Sequence, residues 1–214
     1  MENSFTLHLK VLSTDTKSTD YLKDISEIRT MMERSSRFIS LSGLSDVCAG
    51  IIAIAGAALA YYFSVLGTDH SFTKITLLVI YAVVVLALSI ASGIYFATRK
   101  ARLQGLKIWD SSAKRLVINL MIPLIAGGLF CLALIYHGLI ALLSPATLIF
   151  YGIALLNGNK YTYNDIRYLG ICEIILGLLA SFYTDYGLFF WTIGFGILHM
   201  FYGVSMYYKY ESKS

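Results

Sequence analysis

Apolar residues dominate the chain from residue 39 onward, and polar clusters divide them into long runs. Several runs are close to twenty residues long, which is the length that an α-helix needs to cross the hydrocarbon core of a bilayer. The pattern therefore predicts an all-α, polytopic membrane helical bundle with six transmembrane helices. The predicted spans are 39–66, 75–97, 116–137, 139–157, 168–184 and 188–208.

The fourth predicted span is the hardest to delimit, because Ser144 and Pro145 lie near its start. A proline inside a helix removes a backbone hydrogen bond and kinks the helix, whereas a proline in the first turn is tolerated. Pro145 therefore either kinks this span or marks its true beginning.

Composition supports a membrane protein and excludes two other classes. Of the 214 residues, 57% are hydrophobic and 14% are charged, and the mean hydropathy is +0.68. A soluble domain would be about a quarter charged. Soluble enzyme folds and disordered chains are therefore excluded.

We expect no cofactor and no metal site. Cys48, Cys131 and Cys172 lie inside apolar runs and form no Cys-x-x-Cys pair, so they are interpreted as buried filler. A haem held by two histidines is excluded, because His137 and His199 fall near opposite membrane surfaces in the predicted topology.

Basic residues are distributed very unevenly between the predicted connections. With the N-terminus inside, the inner segments hold 16 of the 17 Lys and Arg residues, and the outer loops hold only Lys74. Basic residues favour the cytoplasmic side of a membrane. We therefore expect a multi-pass protein of the cell membrane, in bacteria the inner membrane, with both termini cytoplasmic. This orientation explains the net charge of +4 without a nucleic-acid partner.

Residues 1–38 form a charged cytoplasmic segment that holds 12 of the 30 charged residues and lacks the features of a signal peptide. Alternating apolar residues predict a short strand over 5–11, and apolar spacing predicts an amphipathic helix over 18–38. This helix either lies on the inner leaflet or docks a cytoplasmic protein partner. The predicted domains are the segment 1–38, the transmembrane domain 39–210 and the tail 211–214.

Sequence similarity between pairs of spans predicts three tandem hairpins. An arginine starts each copy, and a glycine follows thirteen residues later in the first two copies and ten residues later in the third. The same Phe-Tyr-Gly triplet occurs at 150–152 and 201–203. The alternative is that spans rich in Gly, Leu and Ile look alike by chance. The first residues of the three copies are Arg37, Arg115 and Arg167.

With a glycine in each helix and basic inner ends, these hairpins resemble uncharacterised bacterial six-span membrane proteins built of short transmembrane hairpin repeats. They are also similar to short-hairpin-repeat proteins linked to acid resistance. The resemblance covers residues 37–210 and implies a helical hairpin bundle, but it carries no site residue. Mitochondrial carriers also have three hairpins, but their Pro-x-[Asp/Glu] signature is missing here.

Three ionisable residues lie within predicted spans, where such groups are costly and are candidates for function. Asp46, Glu173 and His199 each border small residues on one helix face, which predicts that they face other helices. Helical rise places them about 9–15 Å from the inner basic anchors. With Ser89 and Asn119 they form a predicted intramembrane polar cluster, either a binding site or proton relay, or a set of structural hydrogen bonds.

Two functions remain open from the sequence. The first is a transporter or channel subunit for a small solute or ion, with proton linkage as one form, and six short helices would then favour a homo-oligomer. The second is a non-enzymatic membrane sensor or regulatory protein that acts through residues 1–38. An intramembrane enzyme is less favoured, because no His-Glu-x-x-His motif is present and no catalytic residue can be named.

Overall fold

The structure is a computed structural model that describes residue 25 and residues 42–66, 72–103, 105 and 109–211. All of these except Ile25 belong to the compact unit Phe38–Ser214. The strand predicted over 5–11 and almost all of the amphipathic helix predicted over 18–38 lie outside the described residues. Ile25 itself is helical and exposed.

The described residues form an all-α structure and contain no strand. The first five α-helices are α1 (Gly43–Leu66), α2 (Phe72–Leu103), α3 (Ser111–Tyr136), α4 (Leu143–Gly158) and α5 (Ile166–Phe182). Four helical segments then follow one another without a break over 187–211, and we call them together the last rod. They are α6 (Gly187–Trp191), a π-helical segment (Thr192–Leu198), α7 (His199–Met206) and a second π-helical segment (Tyr207–Glu211).

Five helices in the described part of the chain are long and apolar enough to cross a membrane. This agrees with the expected membrane protein, while the remaining helix, α5, has only 17 residues. The five candidate spans are Gly43–Phe63, Val79–Leu103, Ser111–Tyr136, Ile140–Tyr161 and Thr184–Tyr210.

Local signals explain two of the helix starts. The Asp110 carboxylate caps α3 by accepting a hydrogen bond from the backbone N–H of Ala113 at 2.7 Å. Pro145 is the third residue of α4, so its missing N–H falls in the first turn, where no intrahelical partner is needed. Pro145 therefore lies at the start of the helix and does not interrupt its middle.

Two extensive interfaces join helices of different predicted hairpins. α4 packs against both α3 and α5, while α1 packs against both α2 and the last rod. α5 contacts α4 much more than it contacts the last rod. The α1–last rod and α4–α5 interfaces are not anticipated by the repeat, and the arrangement as three hairpins stays a prediction.

Candidate functional site

A carboxyl group and an imidazole lie side by side within the helical unit. Glu173 on α5 is 0% exposed, and His199, the first residue of α7, is 4% exposed. The Nδ1 atom of His199 lies 3.4 Å from Oε1 of Glu173. The structure therefore brings together two of the residues that the sequence analysis selected.

Hydrogen bonds orient the His199 ring on both of its nitrogens. Nδ1 lies 3.0 Å from the carbonyl oxygen of Gly194, and Nε2 lies 2.8 Å from the hydroxyl of Tyr151 on α4. With the proton on Nδ1, the ring donates to Gly194 and accepts from the Tyr151 hydroxyl, which satisfies all three groups. The neutral ring is therefore fully hydrogen-bonded before Glu173 is considered.

The π-helical segment shapes this site. Gly194 lies in that segment, five residues before His199, and its carbonyl is the one that the imidazole contacts. A Cβ added at residue 194 would lie 2.5 Å from Oε2 of Glu173 and 2.5 Å from Cδ2 of Leu148. Glycine at this position therefore leaves the space that the Glu173 carboxyl occupies. Wide helical turns of this kind are frequent at functional sites.

Among the residues that the structure describes, neither carboxyl oxygen of Glu173 has a hydrogen-bond partner. Burying an ionised carboxylate without hydrogen-bond donors is very unfavourable. The charge can be removed by a proton on the carboxyl itself, or balanced by a positive charge on His199 or by a bound cation. The chemistry that this arrangement offers is therefore the uptake and release of a positive charge, and a proton is the smallest such charge.

Aromatic rings enclose the imidazole. Phe195 stacks on the His199 ring, with centroids 5.8 Å apart and an interplanar angle of 24°. The Tyr151 and Trp191 rings each contact Phe195, at centroid distances of 5.0 and 4.9 Å. Trp191, Phe195 and His199 recur every four residues and so lie along one side of the last rod. These apolar faces limit the access of water to the ring nitrogens.

Asp46 lies in the first turn of α1 and is half-buried. A carboxylate in the first turn of a helix is stabilised by the helix dipole, which is a structural role.

Neither Tyr151 nor Tyr202 was predicted from the sequence as a site residue. Both belong to the Phe-Tyr-Gly triplet that occurs twice in the chain, at 150–152 and 201–203. Both rings pack against the buried cluster of Leu155, Ile166 and Leu169. The repeated triplet could have identified both tyrosines, because each copy places a hydroxyl group within an apolar run.

The remaining two predicted residues have hydrogen bonds elsewhere. The Ser89 carbonyl on α2 accepts a hydrogen bond from the Ser92 hydroxyl at 2.8 Å. The Asn119 side chain on α3 donates to the Arg115 carbonyl at 2.8 Å, and the Asn119 carbonyl accepts from the Asn157 side chain at 2.8 Å. These bonds place Ser89 within α2 and Asn119 at the α3–α4 interface, apart from the bonds around His199.

A second charged cluster joins the start of α5 to the end of the last rod. The Lys209 ammonium donates to both carboxylate oxygens of Asp165, at 2.9 and 2.7 Å, and the Tyr210 hydroxyl donates to Oδ2 at 2.8 Å. Partial burial alone would raise the pKa of the Asp165 carboxyl. The hydrogen bonds from Lys209 and Tyr210 outweigh it, so that the pKa lies below its ordinary value.

Within the described residues, no group of three or more His, Cys, Asp or Glu side chains is arranged to hold a metal ion. Comparison with protein-family models, curated proteins and solved structures finds no match for this chain. The function must therefore be inferred from the site itself, which is a buried Glu173–His199 pair hydrogen-bonded through His199 to Tyr151.

Proposed function

We propose that this protein is a membrane transporter or channel subunit for a small solute or ion, and that it works by binding and releasing a positive charge at Glu173. The observation that carries the proposal is the fully buried Glu173 carboxyl, which has no hydrogen-bond partner within the described part of the chain and lies 3.4 Å from His199. Ionisable groups inside membrane helices characteristically mark ion pathways and proton relays.

The missing hydrogen bonds favour transport over a structural role for Glu173. A carboxyl group that holds helices together does so by accepting hydrogen bonds, as Asp165 does from Lys209 and Tyr210. Glu173 contacts His199, but neither of its oxygens has a hydrogen-bond partner in the segments 42–66, 72–103 and 109–211 that the structure describes. A buried group left in this state is available to take up a charge.

We also propose that α5 is a sixth membrane span and that both termini are cytoplasmic. α5 is about 25 Å long at the usual helical rise, and a span of 17 residues is at the short limit for crossing a bilayer. Six spans, arranged as three hairpins, leave both termini on the same side of a cell membrane. The basic residues favour the cytoplasm as that side. The resemblance to bacterial six-span proteins favours the inner membrane.

The proposal also includes a homo-oligomer within the lipid bilayer. α2 packs mainly on α1, and none of its most apolar window is buried within the single chain. A second copy or lipid would cover this surface. The alternative function, a sensor that binds a cytoplasmic protein, depends on residues 1–38, which lie almost entirely outside the described residues.

Ion flux in liposomes tests the proposal. The purified full-length protein is reconstituted with a pH-sensitive dye inside, and a potassium diffusion potential is imposed to drive proton uptake. Parallel assays use dyes for sodium and potassium. Glu173→Gln keeps the size of the side chain but cannot ionise, and we expect it to lower the flux about tenfold or more, the scale of losing an acid–base group. The matched control is Asp185→Asn, at an exposed carboxyl, which should leave the flux unchanged.

Thermal unfolding in detergent is measured for the same variants, so that flux can be expressed per folded molecule. The proposal is overturned if the wild-type protein carries none of these ions above the level of empty liposomes. It is also overturned if Glu173→Gln retains wild-type flux per folded molecule, because Glu173 would then be dispensable for transport.

A further inference from the structure

We propose that the Tyr151 hydroxyl and the His199 imidazole relay a proton to Glu173, and that the charge carried at Glu173 is a proton and not a metal cation. This inference rests on the proposed function, because it names the ion and the route for the same site.

The contacts provide three consecutive positions for a proton. The Tyr151 hydroxyl lies 2.8 Å from Nε2 of His199, and Nδ1 of the same ring lies 3.4 Å from Oε1 of Glu173. An imidazole can accept a proton on one nitrogen while it releases a proton from the other. The ring therefore connects a hydroxyl on α4 to a carboxyl on α5 without any intervening cavity.

The transfer is balanced in atoms and charge. The N–H bond at Nδ1 of His199 breaks as an O–H bond forms on the Glu173 carboxylate, and Nε2 takes the proton of Tyr151. The Tyr151 oxygen then regains a proton from a hydronium ion, which becomes water. At the end, Glu173 is neutral, and the tyrosine and the imidazole are neutral as before. The imidazole has changed tautomer, and the reverse transfer restores it.

The space around Glu173 distinguishes a proton from a metal cation. A hard cation such as Ca²⁺ takes six or more oxygen ligands, whereas the neighbours of the Glu173 carboxyl include an imidazole nitrogen, the glycine at 194 and the Leu148 side chain. Even a Cβ at residue 194 would lie 2.5 Å from Oε2 of Glu173. A proton needs no such shell, because it requires only that the N–H at Nδ1 of His199, 3.4 Å from Oε1 of Glu173, turn from the Gly194 carbonyl to the carboxyl.

The test follows protonation of Glu173 directly in the reconstituted full-length protein. Infrared difference spectroscopy after a pH jump reports the carbonyl stretch of a protonated carboxyl, and Glu173→Gln identifies the band. In Tyr151→Phe, which removes only the hydroxyl, we expect the same final protonation of Glu173 but a rate lowered about tenfold or more. Proton flux in liposomes should fall by the same factor. The matched control is Tyr168→Phe on α5, at a tyrosine that is 60% exposed, and it should leave both rates unchanged.

His199→Gln provides a second variant on a different helix, and it should slow protonation of Glu173 in the same way, even if Tyr151→Phe fails to fold. Wild-type rates in a folded Tyr151→Phe or in His199→Gln overturn the path while the proposed function stands. Glu173-dependent flux of sodium or potassium overturns the choice of the proton, again without affecting the proposed function. If Glu173 exchanges no proton and carries no ion in the wild-type protein, both proposals fail together.

Discussion

Single residues show how the same chemical group takes different roles according to its hydrogen bonds. Asp165 and Glu173 are both carboxyl groups, at the start and within α5, eight residues apart. Asp165 is 28% exposed and accepts hydrogen bonds from Lys209 and Tyr210, so it joins α5 to the last rod. Glu173 is buried and accepts no hydrogen bond from any described residue, so its charge state is open to change.

The Asp165 cluster leads to a prediction about pH. Because the pKa of the Asp165 carboxyl is lowered in the folded protein, its stabilising effect is present above the ordinary aspartate pKa and is lost as the pH falls through the lowered pKa. Since the Asp165–Lys209 ion pair lies at the surface, we expect Asp165→Asn to lower the free energy of unfolding near pH 7 by less than about 1 kcal/mol. The difference in unfolding free energy between this variant and the wild-type protein should become smaller below about pH 4. Thermal unfolding in detergent, from pH 7 to below pH 4, measures this difference.

The control for this prediction is Asp185→Asn, which removes an exposed carboxylate from the connection before the last rod. It should unfold like the wild-type protein at every pH. A destabilisation of Asp165→Asn that stays constant down to low pH would contradict the prediction, because it would then arise from something other than the carboxylate charge.

Pairs of helices are held close by small residues, as the small-residue faces of the sequence indicated. Ala53 and Ala57, two small residues of α1, are buried. Gly43 on α1 and Gly203 on the last rod approach each other so closely that a Cβ at residue 203 would lie 2.5 Å from the Gly43 carbonyl oxygen. Small residues allow such backbone contact between membrane helices, where dispersion forces drive association.

A substitution at this interface tests its importance for stability. In Gly203→Ala, the added methyl group would also lie 2.7 Å from the backbone nitrogen of Val47, and backbone cannot move aside as a flexible side chain can. We expect a loss of about 1–3 kcal/mol in the free energy of unfolding, which is the usual effect of overpacking. Denaturation in detergent measures the loss.

The matched control is Gly128→Ala on α3, where an added Cβ meets nothing within 4 Å. That variant should be as stable as the wild-type protein or slightly more stable, because alanine favours a helix over glycine. Equal stability of Gly203→Ala and Gly128→Ala would show that α1 and the last rod do not approach as the structure has them.

The described part of the unit Phe38–Ser214 is a helical bundle whose apolar surface suits a membrane. Large apolar side chains are exposed along α2 and α3, including Val83, Leu86, Ile122 and Leu129. A contiguous apolar surface of this kind would be a liability in water and is the normal surface of a protein in lipid. The buried polar pair lies inside this shell, so a charge on it is shielded from lipid by neighbouring helices.

The proposed topology is tested by cysteine labelling in intact cells. The three native cysteines are replaced, and single cysteines are introduced as Thr68→Cys, Thr184→Cys and Ser212→Cys. The excess of basic residues on one side predicts that the first two react with a membrane-impermeant maleimide from outside. Ser212→Cys should react only after the membrane is opened. Reaction of this last variant in intact cells would refute the cytoplasmic C-terminus.

Much of the architecture could be predicted from the order of residues. Runs of apolar residues specify helices because the bilayer leaves the backbone no other means of satisfying its hydrogen bonds. The predicted span 168–184 accordingly corresponds to α5 (Ile166–Phe182), and 116–137 corresponds to α3 (Ser111–Tyr136). Glu173 and His199 were also identifiable, since ionisable residues are rare in such runs.

The arrangement of the helices and the hydrogen bonds of the site could not be predicted in this way. The backbone hydrogen bonds that define a helix are local, whereas the interface between α1 and the last rod joins segments that are far apart in sequence. The sequence therefore did not show that Tyr151 contacts His199, or that the glycine at 194 leaves space for Glu173. Both depend on the close approach of α4, α5 and the last rod, because hydrogen bonds and steric exclusion act only over a few ångströms.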